Sequence, residues 1–560
     1  MTDPNLPEAD RARLFAAAER WLAEDPDADT TIELDLLLDR AQAGEPGALA
    51  ELASAFAGPL TFGTAGLRGA LGPGPARMNR TVVVHASAGL ARYLLDRGHA
   101  GRTVLVGHDA RHHSSIFARD TAEILAGAGL RAVLVEGPIP TPVIAYGIRH
   151  LDAVAAVVVT ASHNPATDNG YKVYLGDGSQ IVPPADALIA ERITEVSRLP
   201  LSELPRSPGF DRAGADLVEA YVTRAASLLA ARPDRSLRWV YTPMHGVGLN
   251  TVRWVVAAAG LPDPVVVPAQ AEPDPDFPTV AYPNPEEPGA LDLAVELARD
   301  CEADLVIAND PDADRCAVAV PDPVSGWRML TGDELGALLG ADALDRRVRG
   351  TYASSIVSST LLATMAQAAG EPFVATPTGF KWIGRVPGLA YGYEEALGYC
   401  TDPAGVADKD GITALVRVLD LAGRLAAQGR TLLGMLDSLM RRHGLHQTGQ
   451  LAVRTDDPGI IAGAMARLRT SAPDVLGGEP VAVTDLSRPD GDLPPIDAVL
   501  LEGPSVRVVV RPSGTEPKLK CYLQVRLTPT ESQDLTAARV TAERRVARIR
   551  EELTAVLGLG

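Results

Sequence analysis

Apolar residues along the chain alternate between helical and strand spacing. From Ala9 to Glu24 they recur at helical spacing, and Asp25-Pro26 supplies a stop, which predicts an N-terminal helical arm. Short β-branched runs and helical stretches then follow one another: strands at 103–107, 132–136 and 156–160, with a helix from about Ser115 to Leu130. This alternation predicts βαβ units around a mostly parallel sheet.

The pattern restarts twice and then changes character. Further strands are predicted at 237–242, 265–267, 304–310, 351–357 and 372–376. After about Gly444 the strands alternate apolar and polar residues, and the chain ends in a helix whose apolar face carries Val546, Ile549, Leu553 and Val556. We therefore predict an α/β protein of four domains: three similar α/β mixed-sheet domains and a C-terminal α+β domain. The predicted bounds are 1–45 for the helical arm and 46–212, 213–326, 327–446 and 447–560 for the domains.

The composition limits the classes of function. Fifty-two Lys and Arg against 71 Asp and Glu give a net charge of −19, which argues against a nucleic-acid-binding surface. No apolar run approaches the ~18 residues that a membrane span needs. The four cysteines form no Cys-x-x-Cys pair and follow a start without a signal-peptide pattern. We expect a cytoplasmic monomer or homodimer that binds neither nucleic acid nor membrane.

A serine follows the buried run at 156–160. Residues 160–165 read TASHNP, so Ser162 is expected on a loop at the carboxyl end of a strand, where open α/β sheets bind ligands. Such a serine can act as nucleophile or phosphoryl carrier, with His163 or Lys172 available for proton transfer or charge stabilisation. A turn with an incidental serine explains the tetrad Ser-His-Asn-Pro equally well.

Three aspartates stand at alternate positions after a later predicted strand, namely Asp310, Asp312 and Asp314. In extended backbone this spacing places their carboxylates on one side, where hard oxygen ligands meet one divalent cation. An EF-hand loop is disfavoured because Arg315 and Pro321 occupy the positions that need Gly and Glu. Solvated acidic groups are the remaining alternative.

Two segments offer positive charge to a phosphate. Residues 61–69, TFGTAGLRG, predict a flexible loop that carries Arg68, or else a plain glycine-rich connection. Residues 511–520, RPSGTEPKLK, follow a strand and combine the donors of a Ser-Gly-Thr turn with fixed positive charge, as an anion-binding concavity does. A Pro/Gly turn with solvated lysines is the alternative there.

The third α/β block holds two candidate sugar-binding loops. The segment 378–382, TGFKW, carries Lys381, which can meet a phosphate, and Glu394 and Glu395 can accept hydrogen bonds from vicinal hydroxyls. Glu-Glu pairs are also common on solvated faces. The segment 408–412, DKDGI, is interpreted as a structural segment that packs or forms a turn.

In this order the motifs resemble the α-D-phosphohexomutase superfamily, the phosphoglucomutases and phosphomannomutases. The resemblance covers nearly the whole chain and rests on TASHNP, DNGYK, DPDADR, the Glu-containing loop and RPSGTEPK. The segments TFGTAGLRG, PNPEEPGAL and TGFKWIG look most like the branch of phosphoglucomutase-2-like and phosphopentomutase enzymes. The resemblance implies the same four-domain plan, with the active-site cleft between the domains.

The resemblance also implies a role for each motif, with Ser162 as the phosphoserine. The residues implied for catalysis are Ser162, Lys172, Arg68 and His163. Those implied for binding Mg²⁺ are Ser162, Asp310, Asp312 and Asp314. Those implied for binding the substrate are Arg315, Thr378, Gly379, Lys381, Glu394, Glu395, Arg511, Ser513, Gly514, Thr515 and Lys520.

The sugar loop departs from the usual family pattern Gly-Glu-x-Ser-Gly-His. Tyr393 replaces the first Gly, Ala396 replaces the Ser, and the segment 397–399 lengthens the ending. A family histidine that acts as acid or base is therefore missing here, which leaves Lys172 as the candidate for proton transfer.

The implied function is a phosphosugar mutase that interconverts hexose 1-phosphate and hexose 6-phosphate through a phosphoserine and a bisphosphorylated sugar. We expect glucose as the sugar, with mannose as a second hexose, Mg²⁺ as cofactor and glucose 1,6-bisphosphate as activator or primer. A phosphopentomutase acting on ribose or deoxyribose 1- and 5-phosphates is the alternative. From other classes, a regulator that binds sugar phosphates without turnover and a metal-dependent phosphatase remain open.

Overall fold

The structure, a computed structural model, describes residues 7–229, 237–455, 457–488, 494–513, 518–528 and 534–558. Its chain divides into two units. The first unit comprises Met1–Pro321 and Asp402–Arg417, and the second comprises Asp322–Thr401 and Val418–Gly560. None of the helices in the described part of the chain is long and apolar enough to cross a membrane.

The first unit begins with a helical arm and continues with two α/β regions. Its helices are α1 (Glu8–Glu24), α2 (Ala28–Gln42), α3 (Ala48–Ala55), α4 (Arg80–Leu95), α5 (Ser114–Gly127), α6 (Thr141–His150), α7 (Ala185–Val196), α8 (Ala215–Ala226), α9 (Gly248–Ala259) and α10 (Asp292–Asp300). Its strands are β1 (Leu67–Ala70), β2 (Thr103–His108), β3 (Arg131–Val135), β4 (Ala155–Val159), β5 (Asp168–Leu175), β6 (Asp211–Ala213), β7 (Trp239–Thr242), β8 (Val265–Val266), β9 (Leu305–Ala308) and β10 (Ala317–Asp322).

The first sheet has the strand order β1-β5-β4-β2-β3-β6. Strands β4, β2, β3 and β6 run parallel, whereas β5 is antiparallel to both β4 and β1. Every residue of β2 and β4 is buried, because the helices cover both faces of the sheet. The predicted β2, β3 and β4 are therefore confirmed, with ends that differ by one residue at most.

The second sheet contains β10-β9-β7-β8 in that order. Strand β7 is parallel to β8 and β9, and β10 returns antiparallel to β9, with Ala317 opposite Ala308. The chain between β9 and β10 must therefore reverse direction over residues 309–316, so it forms a compact loop at the carboxyl end of β9.

The second unit contains a third α/β region and a C-terminal α+β region. Its helices are α11 (Gly332–Asp345), α12 (Leu361–Ala369), α13 (Phe380–Ile383), α14 (Gly411–Ala426, which begins in the first unit), α15 (Leu432–His443), α16 (Pro458–Thr470) and α17 (Leu535–Leu557). Its strands are β11 (Gly326–Met329), β12 (Thr351–Ser355), β13 (Phe373–Thr376), β14 (Leu389–Glu394), β15 (Gly398–Cys400), β16 (Leu445–Arg454), β17 (Val475–Leu476), β18 (Glu479–Pro480), β19 (Ala482–Asp485), β20 (Val499–Glu502), β21 (Val506–Pro512) and β22 (Lys518–Leu527).

The two larger sheets of this unit differ in kind. The α/β sheet has the order β13-β12-β14-β15, parallel except for β15. The C-terminal sheet, β16-β22-β21-β20-β19, is antiparallel. Helix α17 packs against β16 and β22 with Ile549 and Leu553 fully buried, which confirms the predicted apolar face. The prediction of three mixed α/β sheets and a C-terminal α+β region is thus confirmed.

Candidate active site

Ser162 lies in the turn that follows β4, where the sequence predicted it. Its backbone has a φ of 53°, in the left-handed region that side chains rarely adopt. The amide of Ser162 donates to Thr160 Oγ1 at 2.9 Å, which helps to hold this turn. The buried hydroxyl donates to Asp310 Oδ2 at 2.7 Å. The loop after β4 thus brings the serine directly to the aspartate loop after β9.

The three aspartates converge through a turn. Residue Ala313 has a φ of 56°, and its amide donates to Asp310 O at 2.8 Å. One carboxylate oxygen from each of Asp310, Asp312 and Asp314 lies within 4.8 Å of the others. The predicted cluster therefore forms, but the extended backbone assumed for it was wrong. The reason is the reversal of the chain into the antiparallel β10.

Lys172 bridges two of these carboxylates. Its Nζ lies 2.6 Å from Asp312 Oδ2 and 2.8 Å from Asp314 Oδ2. Burial alone would lower the pKa of Lys172, but the two carboxylates outweigh it and raise that pKa. The side chain therefore stays an ammonium at neutral pH. This favours charge stabilisation over proton transfer as its contribution.

Burial and charge act in opposite directions on the first two aspartates. Burial raises the pKa of Asp310, and the neighbouring carboxylates raise it further. Burial would also raise the pKa of Asp312, but the ammonium of Lys172 and the hydrogen bond from Thr141 Oγ1, at 2.6 Å, lower it. The raised pKa of Asp310 means that its ionised form is disfavoured in this cluster, and a bound cation would offset that cost.

The donor set fits a magnesium ion. The Oδ1 atoms of Asp312 and Asp314 are buried, and neither has a hydrogen-bond partner among the described residues. Unsatisfied, buried carboxylate oxygens are costly unless an ion or a donor meets them. Carboxylate oxygens are also the ligands that Mg²⁺ prefers. Asp310, Asp312 and Asp314 are therefore suited to hold this ion beside the hydroxyl of Ser162.

His163 and Arg315 flank the serine and the aspartates. His163 Nδ1 lies 3.2 Å from Ser162 Oγ. Burial, and then the positive charges of Arg315 and Arg68, lower the pKa of His163 well below its ordinary value, so the imidazole is neutral at pH 7. Arg315 Nη1 lies 3.5 Å from Glu286 Oε2, and Arg315 Nε lies 3.9 Å from Asp310 Oδ2.

Arg68 lies on strand β1, so the flexible loop predicted for it was wrong. Strand β1 pairs with β5, with Arg68 opposite Gly170, and Arg68 Nη1 donates to Asn164 Oδ1 at 3.1 Å. The strand can approach because Gly66 has a φ of 74° and no side chain; a Cβ there would lie 1.8 Å from Tyr171 O. Pairing with β5 fixes the backbone beneath this arginine.

Gly66→Ala is expected to lower the thermal unfolding midpoint by about 4 °C or more, because both the clash with Tyr171 O and the left-handed backbone disfavour a Cβ. Gly63→Ala is the matched control. Gly63 has open space around its Cα, so its substitution should leave the midpoint within about 2 °C. Equal shifts in the two variants, measured by scanning calorimetry, would contradict this account of β1.

Lys409 is a site residue that the sequence analysis missed. The segment 408–412 does form a turn, because Asp410 Oδ1 accepts from the amides of Ile412 and Thr413 at 3.0 and 2.9 Å and starts α14. The turn also carries Lys409 Nζ to 3.5 Å from Asp314 Oδ2. A lysine between two aspartates was the available signal, but its closeness to Asp314 depends on the tertiary fold.

The two glutamates of the sugar loop have different surroundings. Glu394 ends β14 and Glu395 follows it, and both are buried, so they do not lie on a solvated face. Glu395 Oε2 accepts from Ser355 Oγ at 2.9 Å and from Ser358 Oγ at 3.2 Å. These bonds give Glu395 partners within its own domain, and the contact with sugar predicted for both glutamates stays a prediction.

The other predicted residues of this region lie next to α13. Thr378 and Gly379 precede that helix, and Lys381 lies on it rather than on the loop expected from the sequence. Thr378 Oγ1 is buried, and no hydrogen-bond partner is found for it in the described part of the chain. Such an oxygen is suited to a ligand hydroxyl or phosphate.

The predicted phosphate loop is described only at its two ends. Arg511 and Lys520 are opposite each other on β21 and β22. The amide of Ser513 donates to Lys518 O at 2.7 Å, which closes the base of the loop. Gly514 and Thr515 lie outside the described residues.

Four sequence models of one family match the chain, the α/β/α domains I, II and III and the C-terminal domain of phosphoglucomutase/phosphomannomutase. They match residues 59–199, 219–325, 331–443 and 479–552. Fold and site define a phosphotransferase of the mutase class. More particularly, the chain belongs to the phosphoglucomutase/phosphomannomutase family, which confirms the resemblance.

Individual relatives cover most of the chain. A protein of Haemophilus influenzae named "Probable phosphomannomutase" is 46% identical over 457 residues, which cover 80% of this chain and 93% of the relative. The phosphopentomutase of Mus musculus is 35% identical over 574 residues, which cover 93% of this chain and 92% of the relative. The crystal structure of pp63/parafusin, a phosphoglucomutase of Paramecium, superposes with a TM-score of 0.69 at 17% identity, covering 90% and 96% of the two chains.

Proposed function

We propose that this enzyme interconverts hexose 1-phosphate and hexose 6-phosphate, with glucose preferred and mannose accepted, and that Ser162 carries the phosphoryl group. The observation that carries the proposal is the 2.7 Å contact between Ser162 Oγ and Asp310 Oδ2 in a cluster of three buried carboxylates. A serine that only stabilised a turn would have no need of a neighbouring cation site.

The proposed reaction is two phosphoryl transfers. The phosphorus of phospho-Ser162 forms a bond to the free hydroxyl oxygen of the sugar monophosphate while its bond to Ser162 Oγ breaks, which gives a bisphosphate. In the second transfer, the phosphorus at the other position of the bisphosphate forms a bond to Ser162 Oγ while its bond to the sugar oxygen breaks. The isomeric monophosphate then leaves, and Ser162 is phosphorylated again. Glucose 1,6-bisphosphate would prime the enzyme by phosphorylating Ser162. A bound Mg²⁺ offsets the negative charge of the transferring group.

The side chains around Ser162 divide the remaining tasks. Lys172 stays protonated and supplies positive charge where negative charge develops on the phosphoryl oxygens. His163 lies 3.2 Å from Ser162 Oγ, so it can pass the proton that the sugar hydroxyl loses to the serine oxygen that the phosphoryl group leaves; its lowered pKa disfavours an imidazolium that persists after the transfer. Arg315 adds a second fixed charge.

The relatives support a hexose more strongly than a pentose. The relative named for a mannose phosphate has the higher identity, 46% against 35% for the phosphopentomutase. The phosphopentomutase, however, matches over 93% of this chain. Activity on ribose or deoxyribose phosphates is therefore the second candidate function.

Glu394→Gln is expected to lower kcat/KM for the sugar phosphate by about 10- to 100-fold, because a carboxylate that can accept from sugar hydroxyls with two charged oxygens becomes a neutral amide that accepts with one. Glu395→Gln is the matched control. The amide oxygen of the substituted side chain can still accept from Ser355 and Ser358, so kcat/KM should change by less than about threefold. Steady-state kinetics on both variants test this; equal losses would contradict the division of roles.

The function is tested by a coupled assay with Mg²⁺, glucose 1,6-bisphosphate and one sugar 1-phosphate at a time: glucose, mannose, ribose or deoxyribose. Fastest turnover of glucose 1-phosphate is the expected result. Preference for a pentose would replace the hexose assignment by the second candidate. Release of inorganic phosphate without isomerisation would indicate a phosphatase, and binding without turnover would indicate a regulator.

A further inference from the structure

Arg111 lies beneath the Ser162 loop, outside the motifs of the sequence analysis. The side chain is almost completely buried. Its Nη2 donates to the carbonyl oxygens of Ser162 at 2.7 Å and Asn164 at 2.6 Å. Its Nη1 donates to those of Pro165 at 2.7 Å and Asp168 at 3.1 Å. One guanidinium therefore satisfies four backbone acceptors, three in the loop after β4 and one at the start of β5.

The guanidinium is itself held in place. Its Nε lies 3.3 Å from Asp109 Oδ2, and the other oxygen of Asp109 accepts from the amide of Arg111 at 3.0 Å and from Ser114 Oγ at 2.6 Å. The ring of Phe277 covers the guanidinium, with its centroid 4.8 Å from Arg111 Cζ. A planar guanidinium held in this way presents its N–H donors in fixed directions, so it can orient backbone carbonyls, whereas the flexible ammonium of a lysine cannot.

The Ser162 loop requires such support. The left-handed φ of 53° at Ser162 is disfavoured for a residue with a side chain, so surrounding contacts must hold it. The carbonyl of Ser162 itself is among the four that Arg111 binds. A small rotation of this peptide would turn Oγ away from Asp310 Oδ2.

We propose that Arg111 is a positioning residue for phosphoryl transfer: it fixes the peptide of Ser162, so that Oγ points at Asp310, one of the three carboxylates suited to hold the cation. The inference rests on the proposed function, in which Ser162 is the carrier. A misplacement of about 1 Å at a reacting atom can cost about 100-fold in rate, so the expected effect is large.

Arg111→Lys tests the inference, because lysine keeps the charge but cannot reach four carbonyls at once. We expect kcat to fall about 10- to 100-fold with KM for the sugar phosphate within about threefold. The rate at which glucose 1,6-bisphosphate phosphorylates Ser162, followed by intact mass in single turnover, should fall in parallel. Asp109→Asn should give a smaller loss of the same kind, which keeps the test informative if Arg111→Lys folds poorly.

Arg80→Lys is the matched control for a partly buried arginine. Arg80 bonds Asp120 with its Nε at 2.7 Å and its Nη2 at 3.0 Å, joining helices α4 and α5 away from the Ser162 loop. The substitution should lower thermal stability, leaving kcat per folded molecule unchanged.

Two results would overturn the inference in distinguishable ways. If wild type turns over and the Arg111 and Asp109 variants keep its kcat and phosphorylation rate per folded molecule, Arg111 is only structural and the inference fails alone. If wild type is never phosphorylated on Ser162 by the primer, the proposed function fails and takes the inference with it.

Discussion

Replacing Ser162 with alanine is expected to reduce mutase turnover at least about 10³-fold, because the substitution removes the oxygen atom that is proposed to carry the phosphoryl group. The hydroxyl donates to Asp310 and is buried, so the substitution removes one hydrogen bond and little volume. Folding should therefore survive. A coupled assay with glucose 1-phosphate and primer measures the loss, and intact mass should show a phosphorylated wild type beside an unphosphorylated variant.

Ser115→Ala provides the control for this experiment. Ser115 lies on the same domain, exposed on α5, and its substitution should leave turnover within about twofold. Turnover by Ser162→Ala within tenfold of wild type would exclude the serine as carrier. It would indicate that another group, such as His163, carries the phosphoryl group, or that the group passes directly between two bound sugars.

Asp310→Asn is expected to lower turnover about 10²- to 10³-fold. We also expect Mg²⁺ to raise the thermal unfolding midpoint of the wild type and to raise that of Asp310→Asn much less. The variant loses one of the three carboxylates that lie within 4.8 Å of one another. Without metal, the same change removes repulsion from a buried, like-charged group, so the midpoint of the metal-free protein should stay the same or rise. Activity and metal-free stability are thus expected to change in opposite directions.

The measurement is a thermal scan of wild type and Asp310→Asn with chelator and with excess Mg²⁺, beside the kinetic assay. Glu296→Gln removes one negative charge from exposed α10 in the same region and controls for net charge. If Mg²⁺ raises the unfolding midpoint of Asp310→Asn as much as that of the wild type, Asp310 is not a ligand of the ion.

The strands of the α/β regions could be predicted closely because a strand that is buried on both faces consists almost entirely of apolar residues. Strands β2 and β4 are buried along their whole length and appear as unbroken apolar runs between turns. The loop after such a strand is a general position for ligands, so Ser162 and the aspartates could be identified from the sequence as well.

Side-chain neighbours from distant segments could not be predicted in the same way. Arg111 and Lys409 are far along the chain from the residues that they contact, the Ser162 loop and Asp314. Arg68 was expected on a flexible loop because glycines surround it, whereas Gly66 permits its strand to pair with β5. Such contacts depend on which strands become neighbours, and local composition does not encode that.

By itself the sequence determined the family, the order of the domains, and the kinds of residue that carry a phosphoryl group and a cation. These follow from local signals: apolar periodicity, turn residues, and short motifs, each of which lies at the end of a single strand. Only the tertiary structure decided that the aspartates converge through a reversal into β10, and that Glu395 and Lys172 are engaged by partners from other segments. Pairing of strands and burial of charge are global properties, because each depends on residues far apart in the chain.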